Sequence, residues 1–356
     1  MIFVLLALME KDIVFIIKEK MKLMKNLVLS IISIGLITLL AGCNIVDDNN
    51  QEGDTITISQ NITHAASQND TDSKIEMIDE VIPVNPKKVG IFDYGILDIF
   101  DSIGLDKLGI EKIAVVKSNL PTYLNDYNND NVINAGTLFE PNIDILDLFS
   151  PDLVIISERS AWAYDTLKSE LGGVAVLNVQ IDNANYLNSV VHNLNNLKLI
   201  FDNSTLFDPL KTDLETKTND LKTKVEATDF KALIVMTNGN NVTGFGIGSR
   251  FSFIHNELAI KSADVNFGNG DNNTHGDNIS FEYIESLNPN IIFVVDRSNA
   301  IGGEPSIGIL DNTLVNSTEA GVNNRIIVLD SVAWYIVSGG YQSTLTMISD
   351  VSVLYE

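Results

Sequence analysis

Two stretches decide the fold: EPNIDILDLFSPDLVIISER at residues 140–159 and ISFEYIESLNPNIIFVVDR at residues 279–297. Each carries an acid, a proline seven residues later and an arginine eight residues after the proline: Asp144, Pro151 and Arg159 in the first, Glu282, Pro289 and Arg297 in the second. Agreement at both steps marks one supersecondary unit used twice. Each copy reads as a short amphipathic helix, a Pro-Asp or Pro-Asn turn and a buried strand, LVIIS or IIFVV. A helix that returns against its following strand starts at the edge where that strand ends, so acid and arginine share one edge of the sheet. Open α/β sheets bind ligands at that edge. Two facing copies therefore aim two arginines into one cleft.

Strand-like runs surround both copies: VGIFD (89–93), IAVV (113–116) and VAVLN (174–178) around the first, ALIVMT (232–237) and IIVLD (326–330) around the second. With helical stretches between them, the class is α/β: two Rossmann-like lobes with largely parallel sheets, at 85–203 and 229–356, and a ligand cleft between the lobes. Residues 204–228 read as a single long helix, with Leu210, Leu214, Leu221 and Val225 at helical spacing among charges. A helix of this length spans about 34 Å at 1.5 Å per residue, enough to bridge two lobes. A surface helix of one lobe fits the same pattern.

The N-terminal region is of another kind. Lys22 and Lys25 precede an apolar run, 27–42, that ends Leu40-Ala41-Gly42 before Cys43, the only cysteine of the chain. Basic flank, apolar run and small residues before a cut have the layout of a secretory signal. A lone cysteine also excludes an internal disulfide or a thiolate metal cluster. Residues 1–43 therefore read as a signal peptide with a lipoprotein-type lipobox, lipidated at Cys43, with Met21 or Met24 as an alternative start. Residues 44–84, rich in Asn, Asp, Ser, Thr and Gln, have the composition of a disordered tether. The formal net charge of −24, with no basic run after residue 25, argues against nucleic acid as a partner.

Only four arginines occur among 23 Lys and Arg residues. Arg159 and Arg297 end the two cassettes, and Arg250 closes a glycine-rich turn, GFGIGSR (244–250). An always-charged planar fork used so sparingly at cleft-edge positions suits recognition of an anion or a π-face. A plainer reading is an arginine that caps local carbonyls. GFGIGS is a poor dinucleotide loop, because Ser249 stands where the third glycine belongs. His275 and Tyr335 offer an imidazole and a phenol, a pair suited to a ferric ion, though two such residues so far apart in sequence are more often unrelated. No GxSxG elbow, P-loop or HExxH spacing occurs, so no enzyme is expected.

In order and length, DYGILDIFDSIGL (93–105), NLPTYL (119–124), the two cassettes, GFGIGSRFSFIH (244–255), GILDNTLV (308–315) and IIVLDSVAWYIVSGG (326–340) resemble the class III (cluster A) solute-binding lipoproteins of bacterial ABC transporters. The likeness is to the iron–siderophore binders of the petrobactin and enterobactin type and covers most of 85–356. It implies two α/β lobes joined by one long helix with little lobe movement. Arg159, Arg250 and Arg297 would surround a ferric catecholate siderophore. His275 and Tyr335 would complete the iron shell when the siderophore supplies too few oxygens, and no intrinsic cofactor is implied beyond Fe(III) carried in that complex. Asp144 and Glu282 would dock on arginines of an ABC permease served by its own ATPase, with Asp144 departing from the family's usual glutamate. The protein would be a monomer, lipid-anchored on the outer face of the cytoplasmic membrane, at the cell surface or in the periplasm. The alternatives are haem, cobalamin or a hydroxamate siderophore on the same fold, or a surface lipoprotein enzyme or adhesin.

Overall fold

A computed structural model describes residues 54–267 and 275–355. Cys43, the signal segment and the first part of the expected tether lie outside the described residues. The rest of that tether is not a tether. Residues Thr55–His64 (β1) and Lys74–Pro83 (β2) pair antiparallel from Thr55↔Pro83 to His64↔Lys74. Apolar and polar residues alternate along β1, and one face of the hairpin carries Ile58, Ile62 and Ile82 into the core, while Thr57, Ser59 and Asn61 of β1 and Ile75, Met77 and Val81 of β2 stay in solvent. The polar residues of β1 that read as a spacer are the solvent face of a hairpin strand.

The first lobe is a five-stranded parallel sheet of Lys88–Ile91 (β3), Lys112–Val115 (β4), Ile133–Asn134 (β5), Leu153–Ile156 (β6) and Ala175–Asn178 (β7), in the order β5-β4-β3-β6-β7. The chain moves outward from β3 to β5, then returns to place β6 on the other side of β3. This reversal puts the switch point, where such sheets open a crevice, beyond the carboxyl ends of β3 and β6. Around the sheet lie Tyr94–Ile103 (α1), Ile143–Phe149 (α2), Tyr164–Glu170 (α3) and Tyr186–Ile200 (α4). The hairpin flanks β7 through side chains. Gln60 donates to the Val176 carbonyl (2.7 Å) and accepts from the Asn178 amide (2.9 Å), and Glu80 accepts from the Val176 amide (3.2 Å). These bonds occupy backbone groups that an open sheet edge would otherwise leave unpaired.

Ser204–Glu226 (α5) is the long helix expected from the sequence, with Phe207, Leu214, Leu221 and Val225 on its buried face. It packs on α4 and on the C-terminal helix Tyr341–Ser352, and Tyr341 donates to Asp213 across that contact (2.9 Å). The second lobe follows with Lys231–Asn238 (β8), Asn241–Phe245 (β9), Lys261–Ser262 (β10), Asp277–Asn278 (β11), Ile291–Asp296 (β12) and Ile326–Val328 (β13). The order is β11-β9-β8-β12-β13, with β10 beside β8. β8, β12 and β13 run parallel, whereas β9 turns back antiparallel through Gly239, whose φ of 56° suits a residue without a Cβ. Period-two burial divides β12. Ile291, Phe293 and Val295 join a core continuous with the first lobe, and Ile292 and Val294 face a smaller core under Phe281–Leu287 (α6). Ser331–Tyr335 (α7) and Tyr341–Ser352 (α8) follow β13.

Both cassettes fold alike. Asn142 and Ser280 cap α2 and α6 by accepting from the amides three residues on, which leaves Asp144 and Glu282 in the first helical turn. Ser150 (φ 50°) and Asn288 (φ 46°) end the helices in the left-handed region, and the prolines that follow cannot continue a helix. Among the described residues, no helix is long and apolar enough to cross a membrane.

Candidate functional site

The crevice wall in the first lobe comes from the loops after β3 and β6. Asp93 ends the first loop as the N-cap of α1, accepting from the Ile96 amide (2.9 Å). Burial raises the Asp93 carboxyl pKa, against the opposing pull of Ser157, of the Ile96 amide and of the Arg159 charge. After β6 the chain makes a tight turn in which the Ser160 amide bonds the Ser157 carbonyl (2.9 Å) and the Ser160 hydroxyl accepts from the Ser157 amide (3.2 Å). This turn presents Glu158 and Arg159.

The second lobe contributes Arg250 and Arg297. Arg250 closes the turn after β9, where Gly248 (φ 83°) reverses the chain and the Ser249 amide bonds back to Gly246. Arg297 starts a one-turn helix, Arg297–Ala300, capped by Asp296. Burial disfavours charge on Asp296, but bonds from the Ser306 hydroxyl (2.8 Å) and from the amides of Asn299, Ser306 and Ile307 outweigh it and hold the carboxyl below its ordinary range. A fixed carboxylate thus sets the residue before Arg297.

All three arginines meet at one residue. Arg297 donates its Nε–H to the Tyr335 hydroxyl (2.8 Å) and an Nη–H to Asn238 (3.2 Å). Arg250 lies over the Tyr335 ring at 4.5 Å from its centroid. Arg159 reaches across from the first lobe and donates to the main-chain carbonyls of Tyr335 (3.0 Å) and Ile336 (3.4 Å). Burial pulls the Arg250 guanidinium below its ordinary pKa; Tyr335 and the Glu158 carboxylate oppose that shift, and the nearby Arg159 charge adds to it. No salt bridge within 4.0 Å involves Arg159, Arg250 or Arg297 among the described residues. Their partners are carbonyls, an amide, a phenol and ring faces, which leaves three positive charges without a paired anion.

The crevice is lined by Asp93, Glu158, Arg159, Asn183, Arg250 and Trp334, with His275 also on its wall. His275 is exposed and follows directly on residues outside the described set. Of the sequence-predicted group, Arg159, Arg250 and Arg297 each contact Tyr335, and Arg159, Arg250 and His275 line the crevice, whereas Arg297 and Tyr335 stand behind that lining. Among the described residues no group of three or more His, Cys, Asp and Glu side chains could hold a metal ion.

On this two-lobed α/β chain, with its crevice at the carboxyl ends of parallel strands, a family signature is found: the periplasmic binding protein family matches residues 94–333. The chain belongs to this family. It is 31% identical over 330 residues to the petrobactin-binding protein YclQ of Bacillus subtilis, covering 92% of this chain and 98% of that protein. The crystal structure of YclQ aligns with a TM-score of 0.71 at 32% identity, over 83% of this chain and 99% of its own. The catecholate-siderophore binding protein VctP of Vibrio cholerae aligns with a TM-score of 0.71 at 28% identity, over 83% and 100% of the two chains. The family consists of solute-binding proteins rather than enzymes.

Elsewhere in this periplasmic binding protein, Asp144 and Glu282 stand exposed in the first turns of α2 and α6, away from the crevice lining. One group was missed from sequence. The segment 338–343, just beyond Tyr335, is gripped by the first lobe. The fully buried Asp98 of α1 accepts from the amides of Gln342 and Ser343 (2.8 Å each) and from the Tyr123 hydroxyl (2.8 Å). Tyr186 accepts from the Gly339 amide (3.0 Å), and Gly95 lies so near the Ser338 carbonyl that a Cβ would stand 2.5 Å from it. Burial raises the Asp98 pKa despite these bonds. Nothing local in sequence could show a carboxylate capping a helix that begins more than 240 residues later.

Proposed function

We propose that this binding protein captures a ferric siderophore of the catecholate type and delivers it to an ABC importer for iron uptake. The observation that carries the reading is the set of three guanidiniums from both lobes, at a sheet switch point, with no carboxylate among the described residues within 4.0 Å of any of them. A ferric tris-catecholate is an anion with aromatic faces, and arginine meets both properties through charge-assisted bonds and stacking. The names of YclQ and VctP point to the same ligand class. In this reading His275 and Tyr335 are the groups that would complete the shell of an iron centre that a siderophore leaves open. Asp144 and Glu282, on equivalent helix starts of the two lobes, are the pair offered to a permease, and Cys43 is the lipid attachment point on the outer face of the membrane.

Trp334 lines the crevice and is one of two tryptophans, so its fluorescence reports occupancy. Titration with ferric catecholate, ferric hydroxamate and haem should give saturable quenching with the catecholate at the lowest concentration. Tightest binding of haem, with a sharp Soret band, or of the hydroxamate would replace the catecholate assignment. Quenching by none of them would reject the iron-chelate reading.

A further inference from the structure

Arg159 and Arg297 occupy the same place in the repeated cassette, yet Arg159 directs its donors at backbone. Its guanidinium bonds two consecutive carbonyls, Tyr335 O and Ile336 O, at the carboxyl end of α7. Carbonyls in that position have no partner within the helix and favour a cation. The same stretch is held from the first lobe by Tyr186 at Gly339 and by Asp98 at Gln342 and Ser343. On the other side of the Tyr335 peptide, its ring lies under Arg250 and its hydroxyl on Arg297.

We infer that Arg159 is a positioning residue. Its fork fixes the Tyr335–Ile336 backbone and so sets the phenol between Arg250 and Arg297, and this placement is a contribution to the ligand crevice beyond that of its charge. The inference rests on the ferric-catecholate reading for its binding arm only. Lysine keeps the charge but is a point donor that cannot span two carbonyls in a fixed plane, so Arg159→Lys separates the two roles.

The test has two arms. In the ligand-free protein, hydrogen exchange at the amides of Ile336–Gly339 should quicken in both Arg159→Lys and Arg159→Ala by about tenfold or more, as expected for loss of a charged hydrogen bond. Arg297→Ala should leave it unchanged, and global unfolding by urea, read in parallel, should move little. In the binding arm, the ferric complex of catechol should bind Arg159→Lys almost as weakly as Arg159→Ala. Either change should cost at least about threefold less once Tyr335 is alanine, because coupled residues are non-additive. Exchange that is unaltered in both variants overturns the inference. So does Arg159→Lys binding like the parent protein, or an equal loss from Arg159→Ala with and without the ring at 335. A parent protein that binds no ferric catecholate but shows the exchange change would reject the functional reading and leave the positioning role standing.

Discussion

In the first lobe the cassette arginine leaves its own sheet to hold backbone of the other half of the molecule; in the second lobe the equivalent arginine stays local, on Asn238 and the Tyr335 hydroxyl. The two units share an N-cap, an acid in the first turn, a left-handed helix end, a proline and a buried strand. What differs is the end of the strand. β6 spans four residues and runs into a serine-pinned turn, whereas β12 spans six and feeds a capped helical turn. The repeat therefore conserves how an arginine is brought to the sheet edge and leaves open what it does there. Duplicated architecture is no guide to duplicated chemistry.

The largest effect should come from the second lobe. Arg297→Ala should weaken ferric-catecholate binding by about 2–5 kcal/mol, the range for losing one partner of a desolvated charged contact. Arg159→Ala should cost less, and equal losses in the quenching titration would erase the distinction drawn between the copies. The first lobe also depends on a brace outside its cassette. Glu80, 4% exposed, accepts from Lys168 (2.7 Å), Tyr164 (2.8 Å) and the Val176 amide. Glu80→Ala should lower stability by about 3 kcal/mol, because buried donors lose their acceptor; urea unfolding would show it. Where the copies are alike, they should respond alike: Asn142→Ala and Ser280→Ala should each cost about 1 kcal/mol in the same assay. The smallest effect lies at the helix ends. Ser150→Gly should gain a few tenths of a kcal/mol (about 0.5 at most), whereas Asn288→Gly should lose about 0.5 kcal/mol, since asparagine already tolerates the left-handed region and its Oδ1 accepts from the Glu319 amide (2.7 Å).

The parallel strands and the long helix were legible because each is a run with its own periodicity: VGIFD, LVIIS and IIFVV as buried strands, Leu214, Leu221 and Val225 as one helical face. The hairpin was misread although its signal was present. Ile56, Ile58, Gln60 and Ile62 alternate with Thr57, Ser59 and Asn61, but a half-polar strand shares its composition with a spacer, and composition alone cannot show the period. β9 escaped for another reason: its five residues, Asn241–Phe245, overlap the glycine-rich turn that drew attention to Arg250. At the site, the arginines stood out through scarcity and placement. Their common contact, Tyr335, was named for its phenol and by family likeness as an iron ligand and not as the meeting point of the arginines, and Asp98 not at all. A repeat announces itself along the chain, while a carboxylate capping a distant helix is a purely three-dimensional fact.

The hairpin has a mechanical consequence. Thr55 and Pro83 are paired at its open end, and the Val84 amide bonds the Asp54 carbonyl beside them (2.8 Å). A pull on the chain ahead of Asp54, resisted by the folded body beyond Val84, would load this ribbon at one rung at a time, as a zipper is opened, instead of across all rungs together. The Gln60 and Glu80 side chains would then act as stops partway along the tear. Tension applied ahead of Asp54 would be absorbed in this sacrificial segment before it reached the crevice.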